Sequence, residues 1–223
     1  ENAVRFKVDA VRANGGEVHF CAPNQAAREA GLRGWTDQGF EGVPPYDDDR
    51  IIAGQGTCAM ELIEQVDDLS HVIAPVGGGG LLAGSALAAK AQGSIKVLGA
   101  EPLGADDTVR SLAQGVRVDH HQPDTIADGL RALVGERNLG LIVEHVDRVI
   151  TVTESEIVDA MGLLWTHLKQ VIEPSGAVAL AALLKDIQSR PEAYHRKRIG
   201  LILSGGNLDI EPLMARWRPD RPA

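Results

Sequence analysis

Short apolar runs alternate with amphipathic stretches along most of the chain. The turn-bounded runs have the length of buried parallel strands, and helical spacing of apolar residues predicts helices between them, one of which begins around Gly56. Strands that alternate with helices form an open parallel sheet covered by helices. The pattern therefore predicts an α/β fold with an open, twisted parallel sheet, whose strands are His71–Val76, Lys96–Glu101, Arg148–Thr153 and Ile199–Ser204.

The chain before the first of these strands is organised differently. Apolar residues at helical spacing predict a helix that ends near Asn14, and Glu17–Ala22 is predicted as a short strand, followed by a helix capped at Asn24. Pro44 and Pro45 interrupt any regular element. These features predict a domain boundary there, with residues 1–43 as the remainder of a small domain and residues 44–223 as a large domain.

Composition excludes several classes of function. The net charge of −9 leaves no basic face for nucleic acid, and no apolar run is long enough to span a bilayer, so neither partner is expected. Cys21 and Cys58 lie far apart in sequence, so they form neither a disulfide framework nor a metal-binding pair. Such cysteine usage is typical of a reducing compartment, and we expect a cytoplasmic location.

Four consecutive glycines, Gly77–Gly80, follow the first predicted strand and lead into a predicted helix. Glycines allow the backbone to approach a ligand closely, and successive N–H groups at a helix N-terminus attract anions. A tight turn alone would need only one or two glycines. The stretch therefore predicts a phosphate site formed by these glycines and the amide of Leu81.

The same glycines allow another interpretation. Gly78, Gly80 and Ala83 match the dinucleotide pattern G-x-G-x-x-A, and Glu101 ends the next strand where a ribose-binding acid would lie. On this segment alone, an NAD-binding oxidoreductase domain is an alternative.

Five further motifs decide between the two interpretations. In chain order they are DRIIAGQGT (Asp49–Thr57), EPLGADD (Glu101–Asp107), DTIADGL (Asp124–Leu130), IEPSGAVALAAL (Ile172–Leu183) and LILSGGNLD (Leu201–Asp209). With these motifs the chain resembles the pyridoxal-phosphate (PLP) enzymes of the threonine dehydratase and serine racemase family, which have fold type II, and the resemblance covers essentially its whole length.

The resemblance implies roles for the cofactor-binding residues. The backbone of Gly77–Gly80 and Leu81 would hold the phosphate of PLP, and Ser204 would bind the pyridine nitrogen. A neutral hydroxyl cannot keep this nitrogen fully protonated, so the cofactor would be a weaker electron sink. Such a sink favours loss of a β-leaving group over a long-lived carbanion.

Further residues are implied at the wall of the active site and at a metal site. Asp128, Gly129 and Glu173 would line the wall, although Glu173 could equally be a helix-entry residue before Pro174. The resemblance to the serine racemase branch also implies a divalent cation, Mg²⁺ or Ca²⁺, on Glu101, the carbonyl of Ala105 and Asp107; hard oxygen ligands suit these ions. The alternative is a helix cap with solvated acids. His120 and His121 are interpreted as loop residues.

The activity implied is that of an ammonia-lyase (dehydratase) or racemase acting on L-serine, L-threonine or 3-hydroxyaspartate, in a protein that is a homodimer when complete. In the family, the Schiff-base lysine precedes the part that this chain resembles. None of the six lysines here has the family's sequence context. We therefore expect no turnover from these residues alone, and a non-catalytic remnant that keeps the phosphate pocket is a further alternative.

Overall fold

The computed structural model describes residues 3–210. These residues contain eight α-helices, the shortest with 8 residues and the longest with 17, and four strands of 4 to 7 residues. The remainder of the predicted large domain, 211–223, lies outside the described residues. The helices are α1 Arg5–Ala13, α2 Gln25–Thr36, α3 Asp49–Gln65, α4 Gly80–Ala91, α5 Asp107–Gln114, α6 Glu136–His145, α7 Glu154–Leu168 and α8 Pro174–Ser189. The strands are β1 Leu69–Pro75, β2 Lys96–Pro102, β3 Arg148–Val152 and β4 Arg198–Leu201.

Contacts between Cα atoms divide the described chain into two compact units. One contains residues 3–43 and 207–210, and the other is Pro44–Gly206. Their assignment to the small and large domains of a PLP enzyme stays a prediction. In the first unit, the side chain of Asn24 accepts a hydrogen bond from the Ala27 amide at 2.8 Å and caps α2.

The strand predicted at Glu17–Ala22 is wrong: these residues have no regular secondary structure. A strand is stabilised by hydrogen bonds to a neighbouring strand. All four strands among residues 3–210 belong to the second unit, and none of them pairs with this segment. Apolar alternation alone therefore did not suffice to form a strand.

The sheet of the second unit confirms the predicted fold class. Its strand order is β3-β2-β1-β4, and all three pairings are parallel. The two central strands are almost completely buried, as expected when helices cover both faces of a parallel sheet.

The core lies between this sheet and the helices that cover it. Helices α4 and α8 both pack on β1 and β2, one on each face, while α3 and α6 pack against α4 and α7 packs against α8. Small residues dominate the buried faces of α4 and α8, which allows both helices to lie close to the strands. None of the helices within residues 3–210 is both long and apolar enough to cross a membrane.

Helix α3 begins earlier than predicted. It starts at Asp49 and not around Gly56, because the Asp48 side chain accepts a hydrogen bond from the Arg50 amide at 2.8 Å. The interruption caused by the two prolines ends before this cap. The correction places the IAGQG stretch inside a helix that faces the glycine turn.

Helices α3 and α4 touch backbone to backbone. A Cβ atom added to Gly84 would lie 2.3 Å from the carbonyl oxygen of Ile52, and one added to Gly56 would lie 2.8 Å from that of Gly84. Side chains at these two positions would push the helices apart. This contact positions the N-terminus of α4, where the glycine turn ends.

We predict that Gly84→Ala lowers the free energy of unfolding by about 1–3 kcal/mol, because the methyl group overpacks the helix contact. Gly54→Ala is the matched control, since Gly54 lies in α3 with nothing within 4 Å of an added Cβ. That control should stabilise the helix by about 0.5–1 kcal/mol. Urea unfolding of both variants measures the difference, and equal stabilities would contradict the packing argument.

Candidate functional site

The candidate site lies at the carboxyl ends of the strands. Strand β1 pairs with β2, which follows it in the chain, and with β4, which comes last. Ligands of open α/β sheets usually bind at the carboxyl ends of the strands, where the strand order reverses, and β1 lies at this point of the sheet. The glycine turn follows β1, and Ser204 follows β4.

The glycine turn has the properties of an anion site. Gly77–Gly80 are all buried, and Gly79 has φ of +94°, which only glycine adopts without strain. Among the described residues, no hydrogen bond has the amide of any residue from Gly77 to Leu81 as its donor; the first amide of α4 to donate to the turn is that of Ala83, to the Gly79 carbonyl at 2.9 Å. Five successive N–H groups thus remain available to an acceptor at a helix N-terminus.

The surroundings of the turn leave no room for side chains. An added Cβ atom would lie 2.8 Å from the Cα of Leu130 at Gly77, 2.3 Å from the ring of Tyr46 at Gly78, and 2.4 Å from Gln55 Oε1 at Gly80. Buried, unpaired donors in a tight backbone cradle fit a phosphate group. The residues present therefore fit the phosphate of PLP.

The predicted wall residues lie next to this cradle. Asp128 and Gly129 belong to a short 3₁₀ turn, Asp128–Leu130, which touches Gly77 through Leu130. The Gly129 amide donates to the hydroxyl of Ser175, in the first turn of α8, at 3.0 Å. This bond joins two segments that are separated by 46 positions in the chain.

Glu173 contacts Gly205, the residue that follows Ser204. The Glu173 amide donates to the Gly205 carbonyl at 3.0 Å, and a Cβ atom added to Gly205 would lie 2.4 Å from Glu173 Oε1. Glu173 occupies the N-cap position of α8, but its side chain does not cap the helix. Ser204 is exposed and lies three positions after the end of β4. Its predicted role at the ring nitrogen stays a prediction.

Glu101 and Asp107, the predicted cation ligands, are completely buried. Glu101 uses one oxygen for the Thr108 amide at 2.9 Å and the other for the Val109 amide at 3.0 Å, and so caps α5 from the end of β2. Burial raises the pKa of the Glu101 carboxyl to about 8, and burial also raises the pKa of Asp107. The solvated acids of the cap alternative are therefore not found.

One oxygen of Asp107 lacks a hydrogen-bond donor. Oδ2 accepts the Val134 amide at 2.7 Å, but Oδ1 has no hydrogen-bond partner. His121 Nδ1 approaches it to 3.3 Å without hydrogen-bond geometry. His121 is in a loop, as predicted, but sequence reasoning missed that its side chain turns inward; adjacent histidines in a loop give no such signal. Among residues 3–210, no cluster of three or more His, Cys, Asp or Glu side chains is arranged to hold a metal.

Sequence reasoning also missed the residues that support the glycine turn. Tyr46 lies in the predicted loop, and Asn138 lies in the first turn of α6, a helix that was not predicted. Both contact Gly78, Asn138 through a hydrogen bond to its carbonyl at 2.7 Å. Neither residue is part of a recognisable motif, so no local signal could have identified it.

Comparison with known proteins agrees with this geometry. Residues 1–205 match the family model described as "Pyridoxal-phosphate dependent enzyme". The chain belongs to this family of PLP-dependent enzymes.

Relatives within this family align with nearly the whole length of the chain. It is 43% identical to the β-hydroxyaspartate dehydratase of Paracoccus denitrificans over 95% of this chain and 66% of that protein. It is 45% identical to the serine racemase of Dictyostelium discoideum over 96% of this chain and 66% of that protein. The structure of maize serine racemase matches with a TM-score of 0.90 at 41% identity, covering 97% of this chain and 67% of the maize chain.

These matches confirm the predicted resemblance and the fold of a type II PLP enzyme. The chain spans about two thirds of the length of the curated relatives it matches. The alternative of an NAD-binding oxidoreductase domain finds no support, because the family that matches uses PLP. The pattern G-x-G-x-x-A by itself therefore does not indicate an NAD site in this chain.

Proposed function

We propose that this chain carries the cofactor-binding part of a PLP-dependent ammonia-lyase (dehydratase) or racemase that acts on a hydroxy amino acid. The observation that carries the proposal is the buried glycine turn after β1, in which the five amides from Gly77 to Leu81 have no acceptor within residues 3–210. A dianionic phosphate is the group that such a cradle binds best. Family membership supports PLP as the source of this phosphate.

The residues around the cradle have distinct roles in this proposal. PLP, when bound, withdraws electrons from the α-carbon of an amino acid. Ser204 offers a neutral hydroxyl to the ring nitrogen, which limits this withdrawal and favours departure of a β-hydroxyl. Asp128, Gly129 and Glu173 form the wall on which the substrate is oriented. The hydrogen bond from Gly129 to Ser175 keeps this wall in place.

The proposed substrates are L-serine, L-threonine and 3-hydroxyaspartate. The support for this class is that the similar proteins include a β-hydroxyaspartate dehydratase, serine racemases and an L-threo-3-hydroxyaspartate ammonia-lyase. All three names describe amino acids with a hydroxyl on the β-carbon. A homodimer and a cytoplasmic location stay predictions.

The cofactor assignment predicts that Gly79→Asp abolishes PLP binding. The carboxylate would repel the phosphate, and its Cβ would lie 2.9 Å from the Cβ of Asn138. Gly93→Asp is the matched control, because Gly93 has nearly the same φ, +95°, but nothing within 4 Å of an added Cβ. Titration of the 223-residue chain with PLP, followed by absorbance, measures both affinities. Unchanged PLP affinity in Gly79→Asp would contradict the assignment.

The lysines of the chain lead to a prediction about activity. Lys96 and Lys197 lie at the amino ends of β2 and β4, and Lys90 lies in the last turn of α4, while the glycine turn is at its first. Lys185 donates to the Thr151 carbonyl at 2.8 Å. Lys169, at the C-terminal end of α7, donates to the Thr166 carbonyl. None of the five lysines of Pro44–Gly206 is placed at the cradle, and Lys7, in α1, lacks the sequence context of the family's lysine. We therefore expect the cofactor-holding lysine to come from outside these 223 residues.

We therefore predict that the 223-residue chain, with PLP added, releases no 2-oxo acid from L-serine, L-threonine or 3-hydroxyaspartate. The reaction needs a lysine amine to hold the cofactor and move the α-proton. Addition of a lysine-bearing fragment from a relative should restore release. The assay measures pyruvate, 2-oxobutyrate or oxaloacetate, and robust turnover by the chain alone would show that the catalytic base had been misplaced.

A divalent cation on Glu101, the Ala105 carbonyl and Asp107 is the second part of the proposal. The support is chemical: two buried carboxylates lie together, and Asp107 Oδ1 is an acceptor without a donor. Each Glu101 oxygen accepts one amide and keeps a lone pair for an ion. A cation there would offset the cost of burying both negative charges.

We predict that millimolar Mg²⁺ or Ca²⁺ raises the melting temperature of the chain relative to EDTA, because a ligand that binds only the folded state stabilises it. Glu101→Gln should lose this increase. Glu64→Gln, a change on the exposed surface of α3, should keep it. An identical melting temperature of the unchanged chain with the cations and with EDTA would refute the cation site.

A further inference from the structure

The carbonyl of Gly78 is held from the side of α6. It accepts the Asn138 side-chain amide at 2.7 Å and the Gly135 amide at 3.0 Å. Asn138 is completely buried, and its Nδ2 also donates to the carbonyl of Tyr46 at 3.2 Å. Both hydrogens of this side-chain amide are therefore used to fix backbone carbonyls next to the glycine turn.

The direction of one carbonyl decides the direction of the next amide. In a trans peptide, the C=O of Gly78 and the N–H of Gly79 point in opposite directions. Because the Gly78 carbonyl points at α6, the Gly79 amide points away from α6, and it has no acceptor among the described residues. Gly79 itself has no side chain to resist rotation of this peptide, so its orientation depends on the bonds to the carbonyl.

We propose that Asn138 is a positioning residue of the phosphate site: by holding the Gly78 carbonyl, it directs the Gly79 amide at a phosphate oxygen of the cofactor. The inference rests on the proposed function and names one residue that sets the affinity of the glycine turn for the phosphate. Asn138 touches neither phosphate nor substrate in this role. It acts through the Gly78–Gly79 peptide, directly and through its bond to the carbonyl of Tyr46, whose ring lies against Gly78.

Asn138 is suited to this role because its backbone is held in place as well as its side-chain amide. Its backbone amide donates to Asp47 Oδ1 at 3.2 Å, and its Cβ lies 2.9 Å from the position of an added Cβ on Gly79. Its Oδ1 is buried without a donor. A group placed only for stability would be expected to use this acceptor too, since a buried, unpaired oxygen is costly.

The test compares the affinity of the 223-residue chain for PLP with its affinity for pyridoxal, which lacks the phosphate. The dissociation constant for pyridoxal divided by that for PLP isolates the contribution of the phosphate, and this ratio falls when the phosphate is held less tightly. Asn138→Leu keeps the approximate shape of the side chain and removes both donors. We expect this variant to lower the ratio about tenfold, the loss of roughly one hydrogen bond to a charged group, while pyridoxal affinity stays the same. Val143→Ala, at an exposed position of α6, is the matched control and should keep the ratio.

A spectroscopic signature separates positioning from a general loss of stability. Addition of inorganic phosphate should change the NMR chemical shift of the Gly79 amide proton in the unchanged chain and in Val143→Ala, but not in Asn138→Leu. If Asn138→Leu does not fold, as judged by circular dichroism, the smaller Asn138→Ser takes its place, with the same expected changes.

Each outcome has a separate meaning. A folded Asn138 variant with an unchanged ratio overturns the positioning role and leaves the proposed function standing. An unchanged chain that binds pyridoxal and PLP equally contradicts the phosphate site itself, and the positioning role falls with it. A lower ratio with a lost Gly79 shift supports both.

Discussion

The site depends on one constraint: backbone amides must meet an anion with no side chain between them. Gly77–Gly80 satisfy it because Leu130, Tyr46 and Gln55 close in on the turn from different directions and leave no space for even one methyl group. The backbone amides of this turn have no acceptor among the described residues. Leaving buried donors unpaired costs stability, a cost that the proposed phosphate would remove. The packing around the turn is thus also what would prepare it for the proposed ligand.

The same constraint explains why helices α3, α4 and α6 meet at this point. The glycine contact between Gly56 and Gly84 lets α3 lie against α4, while Asn138 and Gly135 bind α6 to the Gly78 carbonyl. The turn is therefore held by neighbours on both sides and not by its own sequence. A glycine run without such support would be too free to present several amides together, because glycine loses more conformational entropy on ordering than any other residue.

A second polar site lies at the end of β2, and it is organised by burial. Glu101 caps α5 with both carboxylate oxygens, and Asp107 binds the Val134 amide, so two acids stabilise a loop and a helix start deep in the protein. Burial raises the pKa of both carboxyls, which shows how unfavourable two negative charges are there. A structural role and a cation-binding role are compatible, since each Glu101 oxygen uses only one amide.

The sequence by itself determined the fold class, the four strands and the family, because apolar runs, the glycine turn and five ordered motifs are local properties of the chain. It placed the glycine turn between β1 and α4 and Glu101 at the end of β2, but the strand predicted at Ile199–Ser204 ends at Leu201, and α5, which begins at Asp107, was not predicted. It was wrong where an outcome depends on partners: Glu17–Ala22 found no strand to pair with, and α3 begins at a cap, Asp48, that a proline-rich loop obscured. Only the tertiary structure decided which residues surround the glycines, and which acids are buried. Asn138 lies 60 positions from Gly78, and no pattern along a chain records which of many distant side chains will be folded against a given carbonyl.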